Sequence, residues 1–555
     1  MRNRPRSLPR QYLLPLLLAA LVVLTFANAL RGGFVLDDHL MIENNPNARW
    51  PDGLRIAFTT DVGGFTGRPT PNSYYRPLVM ASFVVDRALW GLNAGPFHAQ
   101  NVLWHALSCV LAYLLIRRMS GSSWAAGWAA ALWAVHPLVS ESVAWISGRT
   151  DPMAACGILG ALLAFLAYRD SGSARWLVLA AALTWLGCLA KEPAVLTPLL
   201  ALIAARAPGP VRAPGGGASA TAPAVTRRAW IGVAALWVPV LVYLAMRTAV
   251  TGSWARTGGF EDGRAAAMRI ALRALAFYAR TLLWPDALVG DIHVTAPRWD
   301  DPAVIAGALL AAGGVALLAI VWRRRSPAAP MLAIGALLLG FTSGIVLPLV
   351  IPVAVRYLYL PSLWLWAAVL VALAGAGGAP RRTWLRFAPG PVLAVLAVLA
   401  IVRNADYRDD GHFYPTVVRN AAAAGFGVEP GYYAIGNYGH LLATEGRLAE
   451  AERLTRQAIN QKPAVSLAWT NLGNILQMKG DTEGALAAWR RSLALDPGAV
   501  DPLVNTALTL DRAGRHDEAL AAYRVALARP LDAPRRAAIE ARVRELERGG
   551  GAVRP

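Results

Sequence analysis

Two adjacent carboxylates follow the first apolar segment of the chain. Asp37 and Asp38 end the stretch FVLDD, and like charges side by side at a membrane edge are costly to keep ionised. Such a pair predicts a general base, or a ligand for a cation or a sugar; the alternative is a solvated cap at a helix end. In the same loop, Arg76 of YYRPL is either a phosphate-binding residue or an ordinary interfacial arginine.

A second cluster of ionisable residues lies in the stretch HPLVSESVAWISGRTD. It contains His136, Glu141, Arg149 and Asp151, separated by residues that are mostly apolar or small. Mutual neutralisation of Glu141 and Arg149 is the structural alternative, but it leaves His136 and Asp151 unexplained. The pattern therefore favours a polar site at a membrane boundary.

Two further charged positions interrupt apolar runs. Lys191, followed by Glu192, is the only lysine in the first 461 residues. In an arginine-rich chain, a single lysine indicates a position where a compact point charge is needed. The alternative is an ion pair with Glu192 or another nearby acid. Arg356 and Tyr357 begin the stretch RYLYLPS. They are typical either of an aromatic-belt anchor or of phosphate binding, because arginine offers a fork of donors to phosphate oxygens.

Composition identifies the elements that must hold these residues as membrane helices. The chain has 555 residues, of which 56% are hydrophobic and 16% charged, with a mean hydropathy of +0.40. These values favour a polytopic membrane protein over a secreted, fibrous or disordered one. The net charge of +20 does not indicate a nucleic-acid partner, because nearly all the basic residues are arginines, many of which punctuate apolar segments. The three cysteines have neither disulfide nor metal spacing.

We predict about eleven membrane spans. They cover residues 12–30, 98–118, 123–144, 151–168, 175–190, 192–206, 229–248, 302–322, 330–350, 355–375 and 387–402, at about 20 residues per crossing. Residues 31–95 then form a long first extracytoplasmic loop. Residues 267–300 form an interfacial segment, because arginines recur among apolar residues at its start. A cleaved signal peptide ending at Ala29 is the alternative interpretation of the first segment.

The distribution of arginine gives an orientation. A basic start before residue 12 and arginine-rich loops at 117–118, 206–228 and 323–325 place the N-terminus in the cytoplasm. All four charged clusters then lie on the extracytoplasmic face, and an odd number of spans puts the C-terminal region there too. Arginine, alanine, glycine and proline richness is typical of a GC-rich bacterial coding sequence, so we expect the bacterial inner (cytoplasmic) membrane.

The C-terminal region contains a repeat of 34 residues. Gly446, Gly480 and Gly514 occupy equivalent positions, as do small and aromatic residues around them, which is the tetratricopeptide pattern. The domains predicted are therefore a transmembrane domain at 1–402, a linker at 403–430, and about three repeats with a closing helix at 431–548. The predicted fold is all-α, a polytopic membrane helix bundle followed by a solenoid. The repeats provide either a groove for a peptide or protein, or a dimerisation or spacer module.

The motifs taken in order resemble a known family. FVLDD, YYRPL, HPLVSESVAWISGRTD, KEP, RYLYLPS and the repeats resemble the GT-C membrane glycosyltransferases related to protein O-mannosyltransferases, of the kind that carries tetratricopeptide repeats. The resemblance implies a polyprenyl-phosphate-linked sugar as donor, a protein Ser or Thr hydroxyl as acceptor, and transfer with inversion. The chain has three readable repeats, whereas many relatives have long arrays.

The resemblance also implies roles for the clusters. Asp37 or Asp38 would be the general base. Arg76, Arg149, Lys191 and Arg356 would stabilise the departing lipid phosphate, and His136, Glu141, Asp151, Glu192 and Tyr357 would orient the sugar or hold those cations. No cofactor is required, although the aspartate pair leaves a divalent cation open. The alternatives are a non-catalytic membrane scaffold for envelope proteins and a transporter of lipid-linked sugars; the latter predicts polar groups near the midplane instead.

Overall fold

The computed structural model describes most of the chain and divides it into two units. The described residues are 10–67, 74–207, 225–254, 263–290, 292–343, 353–375, 378–426, 428–529, 531 and 533–549. The first unit comprises Met1–Thr416 with Ala423–Val428, and the second comprises Val417–Ala422 with Glu429–Pro555. The described residues are predominantly helical, with two three-residue strands, β1 (Ile292–Val294) and β2 (Val428–Pro430). This confirms the predicted all-α class.

Eighteen α-helices precede β2 within the described residues. They are α1 (Arg10–Phe26), α2 (Asp52–Thr59), α3 (Val62–Phe65), α4 (Pro77–Trp90), α5 (Ala94–Ser120), α6 (Ser123–Ala134), α7 (Ser140–Ala144), α8 (Thr150–Ser171), α9 (Ala174–Ala190), α10 (Thr197–Ala204), α11 (Arg227–Thr251), α12 (Gly263–Leu283), α13 (Pro302–Arg323), α14 (Ala329–Phe341), α15 (Tyr359–Ala374), α16 (Thr383–Phe387), α17 (Pro389–Asn404) and α18 (Asp410–Ala424).

Seven helical segments in the described residues are long and apolar enough to cross a membrane. They are Tyr12–Arg31, Ala94–Ser120, Ile146–Ser171, Arg227–Thr251, Pro302–Arg323, Val355–Ala374 and Thr383–Tyr407. The other four of the eleven predicted spans contain shorter apolar helices, α6, α9, α10 and α14, of 8 to 17 residues. A helix rises 1.5 Å per residue, so these fall short of the ~30 Å hydrocarbon core. Residues 344–350 of the predicted span 330–350 lie outside the described residues.

Two of the short helices, α6 and α9, end where charged clusters begin. α6 ends at Ala134, just before His136, and α9 ends at Ala190, just before Lys191. Proline follows in each case, at Pro137 and Pro193, and proline has no backbone N–H to continue a helix. The apolar pattern therefore continues further than the helix does, and the polar residues lie at helix ends.

The centre of the first unit is the packing of α8 against α9. The span that contains α8 is 89% buried, whereas the one formed by α13 is 11% buried. Gly157 of α8 lies against Gly187 of α9 so closely that a Cβ on Gly157 would be 2.6 Å from the Gly187 Cα. Two facing glycines thus let the backbones of the helices touch, and that contact fixes where the end of α9 lies.

The predicted interfacial segment contains α12 and β1. One side of α12 is buried through small and aromatic residues such as Ala274 and Phe277. Its arginines bond to the following segment: Arg269 Nε donates to the Pro297 carbonyl at 2.6 Å, and Arg273 pairs with Asp301. The helix is amphipathic, and arginines of its basic side contact the segment that follows it, at Pro297 and Asp301.

The predicted linker 403–430 differs from the structure. It contains the 15-residue helix α18, and its first part belongs to the first unit, where the Asp410 carboxylate accepts a hydrogen bond from the Leu36 N–H at 3.3 Å. Asn404 Nδ2 likewise donates to the Thr25 carbonyl at 3.0 Å. The change to a charged composition after residue 402 therefore marks the end of a span and not the end of the first unit.

The second unit is a stack of helix pairs. The pairs are α19 (Tyr432–Thr444) with α20 (Leu448–Gln461), α21 (Ser466–Met478) with α22 (Thr482–Leu495), and α23 (Val500–Arg512) with α24 (His516–Leu527), followed by α25 (Ala533–Gly549). Gly446, Gly480 and Gly514 lie in the turn within each pair, with φ of 80°, 85° and 75°, which glycine adopts at no steric cost. The 34-residue period thus corresponds to one helix pair, and the predicted repeats are confirmed.

Candidate functional site

The first unit contains a cavity of about 410 Å³ at the ends of several helices. Six of the predicted site residues line it: Asp37, Arg76, Lys191, Glu192, Arg356 and Tyr357. They come from the segment after α1, the start of α4, the segment between α9 and α10, and the segment before α15. Distant parts of the chain therefore bring one carboxylate from the aspartate pair and three basic residues to a common space.

The two adjacent aspartates occupy different environments. Asp37 lines the cavity, whereas Asp38 is fully buried (0% exposed) and is not among the described lining residues. The Asp38 carboxylate accepts hydrogen bonds from the backbone N–H groups of Val35 (3.1 Å) and Ser147 (2.8 Å), and from the Ser147 hydroxyl. Burial raises the pKa of Asp38 to about 7, and those hydrogen bonds oppose the rise.

The three predicted cations at the cavity each pair with an acid. The pairs are Arg76 with Glu192, Lys191 with Asp151, and Arg356 with Glu141. The first pair has two contacts, Nε–Oε1 at 3.1 Å and Nη2–Oε2 at 2.8 Å, and the other two are each 2.6 Å long. Each acid orients a cation beside the cavity and offsets the cost of burying its charge.

Two of these cations, Arg76 and Arg356, make cation–π contacts with aromatic rings. The Arg76 guanidinium lies 4.2 Å from the ring centre of Tyr74. The Arg356 guanidinium lies 5.9 Å from the ring of Trp145 and 5.8 Å from that of Tyr357. These cation–π contacts fix the planes of both guanidinium groups, which favours a defined anion site over freely moving surface charges.

Two predicted site residues lie away from the cavity. Arg149 is 0% exposed and donates to Asp86 at 2.6 Å and to the Asn101 side-chain oxygen at 3.0 Å. His136 is also buried, and its Nε2 lies 3.0 Å from the Leu282 carbonyl. Neither side chain is among the described residues that line the cavity. Their contacts hold helix ends together.

The pairings also decide between alternatives that the sequence left open. Glu141 and Arg149 do not neutralise each other, because Glu141 pairs with Arg356 and Arg149 with Asp86. Of the partners considered for Lys191, the structure pairs it with a nearby acid, Asp151, and not with Glu192. The pairings of Glu141 with Arg149 and of Lys191 with Glu192 relied on closeness in sequence, whereas the actual partners lie on other segments.

A histidine fixes the segment that carries the aspartates. His39 Nδ1 lies 2.5 Å from a Glu43 oxygen, and its Nε2 lies 3.2 Å from an Asp410 oxygen. Hydrogen bonding to Asp410 is the largest influence on the pKa of His39, which rises to about 9. Asp410 also accepts from the Leu36 N–H, so the loop that presents Asp37 is held from α18.

The cavity contains one arginine that the sequence reasoning missed. Arg247 of α11 is 4% exposed and lines the cavity, and its Nη1 has no hydrogen-bond partner within the described part of the chain. It lies inside the predicted span 229–248. The available signal was a single arginine in an apolar run, since a charge in a membrane helix is expensive.

The remaining wall of the cavity is apolar. It includes Trp237, Val240 and Leu244 of α11, and Phe341 at the end of α14. Two carboxylates, four cations and an apolar wall together suit a substrate that has a phosphate, a polar group and a hydrocarbon chain. Among the described residues, no three or more His, Cys, Asp and Glu side chains are placed to hold a metal ion.

Two segments match known families. The family described as dolichyl-phosphate-mannose-protein mannosyltransferase matches residues 88–212, which contain α5 to α10 and Lys191. The tetratricopeptide repeat family matches residues 466–499, which contain the pair α21 and α22.

Similar proteins include three that are named protein O-mannosyl-transferase. TMTC1 of Mus musculus is 40% identical over 174 residues, covering 30% of this chain and 18% of the relative. TMTC1 of Homo sapiens is 39% identical over 158 residues (28% and 18%), and Tmtc2 of Drosophila melanogaster is 35% identical over 190 residues (32% and 20%). The matched region therefore spans about a fifth of the length of these curated relatives.

Fold and matches together define the class of protein. Seven helices in the described residues able to cross a membrane, a segment similar to mannosyltransferases and a stack of tetratricopeptide helix pairs indicate a multi-pass membrane protein that carries repeats. More specifically, residues 88–212 are similar to protein O-mannosyltransferases and residues 466–499 to tetratricopeptide repeats, which agrees with the resemblance of the motifs.

Proposed function

We propose that the chain transfers a sugar, mannose, from a polyprenyl-phosphate donor to Ser or Thr hydroxyls of proteins. One observation carries the proposal: Asp37 shares a single cavity with four cations and an apolar wall. The names of the relatives and of the matching family support mannose and a protein acceptor. The apolar wall supports a lipid-linked donor over a nucleotide-linked one.

Asp37 is the proposed general base. Its carboxylate removes the proton from the acceptor hydroxyl as that oxygen bonds to the anomeric carbon of the sugar. The bond from this carbon to the phosphate oxygen breaks on the opposite face, so the configuration inverts and the electron pair leaves with the polyprenyl phosphate. Asp38 is a positioning residue in this proposal, because its oxygens are occupied by Ser147 and Val35.

Arg76, Lys191 and Arg356 stabilise the charge that develops on the departing phosphate. Cations that are already oriented by their acid partners need little rearrangement during the reaction. Asp151, Glu141 and Glu192 therefore act through the cations they hold, and Tyr357 lies beside Arg356. The proposed chemistry uses side chains alone and requires no nucleotide and no cofactor.

The proposed location is the bacterial inner membrane, with the N-terminus in the cytoplasm. With all eleven predicted segments crossing the membrane, the short helices together with their adjoining turns, the arginine-rich loops face inward, and the cavity and the repeats face outward. Under this proposal the repeats bind the acceptor protein through their groove, next to membrane lipids that supply the donor. Cysteine-labelling from outside the cell at position 300 or 430 tests the orientation.

The test of function uses the full chain in lipid nanodiscs with polyprenyl-phosphate mannose and envelope proteins as acceptors. Asp37→Asn should lower transfer by about two to four orders of magnitude, the usual contribution of a general base. Asp300→Asn is the matched control, because Asp300 is an exposed acid outside the cavity lining. Full activity of Asp37→Asn would remove Asp37 as the base, and no transfer by the wild type would leave a membrane-anchored scaffold.

A further inference from the structure

Arg247 differs from the other cations of the cavity in its lack of an acid partner. Arg76, Lys191 and Arg356 each have a carboxylate within 2.8 Å. Within the described residues, the Arg247 guanidinium makes no ion pair, and its Nη1 is buried without a hydrogen bond. A buried donor left without a hydrogen bond destabilises the structure, and more so when it is charged. Among the described residues, no carboxylate therefore neutralises Arg247.

The position of α11 is fixed by contacts near the same residue. Tyr243, one turn before Arg247, stacks on Tyr75 with ring centres 6.2 Å apart, and its hydroxyl donates to the Tyr75 carbonyl at 3.3 Å. Tyr75 directly precedes Arg76. The unpaired guanidinium thus belongs to the same rigid wall as one of the paired cations.

An apolar stripe leads away from Arg247 along α11. Trp237, Val240 and Leu244 line the cavity with it, and their spacing of three and four residues places all four on one face of the helix. At 1.5 Å per residue the stripe is about 15 Å long, which matches about three isoprene units of an extended chain. Its apolar end is toward the middle of the span, and its charged end is near the end of the helix.

We propose that Arg247 binds the phosphate of the lipid donor and that the stripe of Trp237, Val240 and Leu244 holds the first isoprene units. This assignment rests on the proposed function, and it goes beyond it by naming the donor-binding track. Of the cations that line the described part of the cavity, Arg247 is the one without a carboxylate partner, so it supplies the charge complement of a phosphate. The paired cations remain to act on the leaving oxygen. A phosphate on an apolar chain is the shared chemistry, whichever lipid provides it.

The experiment measures binding of farnesyl phosphate, farnesol and inorganic phosphate to the full chain in nanodiscs. Arg247→Gln should weaken the binding of farnesyl phosphate about ten- to a hundredfold, which is the range for loss of a charge-assisted hydrogen bond. The affinity for farnesol should not change. Arg247→Lys should recover part of the affinity. Val240→Trp keeps Arg247 and fills space beside the apolar stripe. It should weaken the binding of farnesyl phosphate and of farnesol but not the binding of inorganic phosphate.

Several results would overturn the assignment. Equal binding of farnesyl phosphate by the wild type and Arg247→Gln would remove Arg247 from the phosphate site. If Arg247→Gln weakened the binding of farnesol as much as that of farnesyl phosphate, the role of Arg247 would be structural. If inorganic phosphate bound as tightly as farnesyl phosphate, the apolar stripe would not bind the lipid chain. If the binding of farnesyl phosphate depended on Arg247 but the chain transferred no mannose, the binding site would be supported and the proposed function would be wrong.

Discussion

At the scale of single residues, two neighbours in sequence, Asp37 and Asp38, occupy different environments. Asp38 accepts three hydrogen bonds and is buried, so it ties the segment after α1 to Ser147. Asp37 lines the cavity. The sequence offered both as the base with no means of choosing, because the choice depends on a loop whose Leu36 has a positive φ of 55°.

His39 gives a prediction on pH. Its pKa is raised to about 9 by Asp410 and Glu43 against 6.5 in the unfolded chain, so the stability it contributes is complete below pH 6.5. That contribution is lost as the pH rises through about 9. We therefore expect the thermal unfolding midpoint in detergent to fall over this window in the wild type, and to fall less in His39→Gln.

Asp410→Asn is the companion variant, because it removes the partner and keeps the histidine. It should flatten the same window of the pH profile. Parallel profiles for the wild type and both variants would show that the contacts of His39 with Glu43 and Asp410 contribute nothing measurable.

Residue types were predictable from the sequence, but their partners were not. The clusters stand out because charge in an apolar chain is rare and costly. Partners such as Asp86 for Arg149 and Asp151 for Lys191 depend on which helix ends meet in three dimensions. Arg247 was overlooked because hydropathy averaged over a span hides a single charge.

At the scale of elements, the contact of α8 with α9 sets the position of Lys191. Gly157→Ala would place a Cβ 2.6 Å from the Gly187 Cα, so the helices must separate. We expect a loss of about 1–3 kcal/mol, as for other overpacked interiors, together with weaker donor use because Lys191 immediately follows α9. The thermal midpoint and the KM for the donor measure the two effects.

Gly313→Ala in α13 is the matched control. A Cβ at that position meets nothing within 4 Å, and alanine is the better helix former. Its stability should match or exceed that of the wild type. A similar loss in both variants would show that helix conformation, and not the contact between α8 and α9, explains the effect.

Element positions were predicted better than element lengths. Each predicted span contains an apolar helix, but four of these helices are short. Two of them, α6 and α9, end just before a charged or titratable residue and a proline, where the apolar pattern still continues. The hydropathy of a segment reports how apolar it is, whereas the end of a helix depends on local backbone groups. The repeats were readable to the residue because glycine at a fixed turn is a local requirement.

At the scale of the whole molecule, the two units separate the proposed tasks. All the described residues that line the cavity precede residue 358, in the first unit. Deleting residues 430–548 should therefore change which acceptor proteins are modified more than it changes cleavage of the donor. Mass spectrometry of envelope glycoproteins measures the first effect, and release of polyprenyl phosphate measures the second.

Gly473→Leu changes the second unit less than the deletion of residues 430–548 does. Gly473 lies against the Trp489 indole, so a larger side chain should disturb one helix pair and leave the first unit intact. It should shift acceptor choice in the same direction as the deletion. Equal loss of acceptor modification and donor cleavage in both variants would contradict the division of tasks.

The pair of Glu141 and Arg356 has a consequence for biosynthesis. The two residues are 215 positions apart, whereas Lys191 and Asp151 are 40 apart. During translation the second pair closes early, but Glu141 enters the bilayer long before its arginine has left the ribosome. A nascent chain halted between them would leave Glu141 without its cation, and an unpaired buried charge destabilises the helices around it.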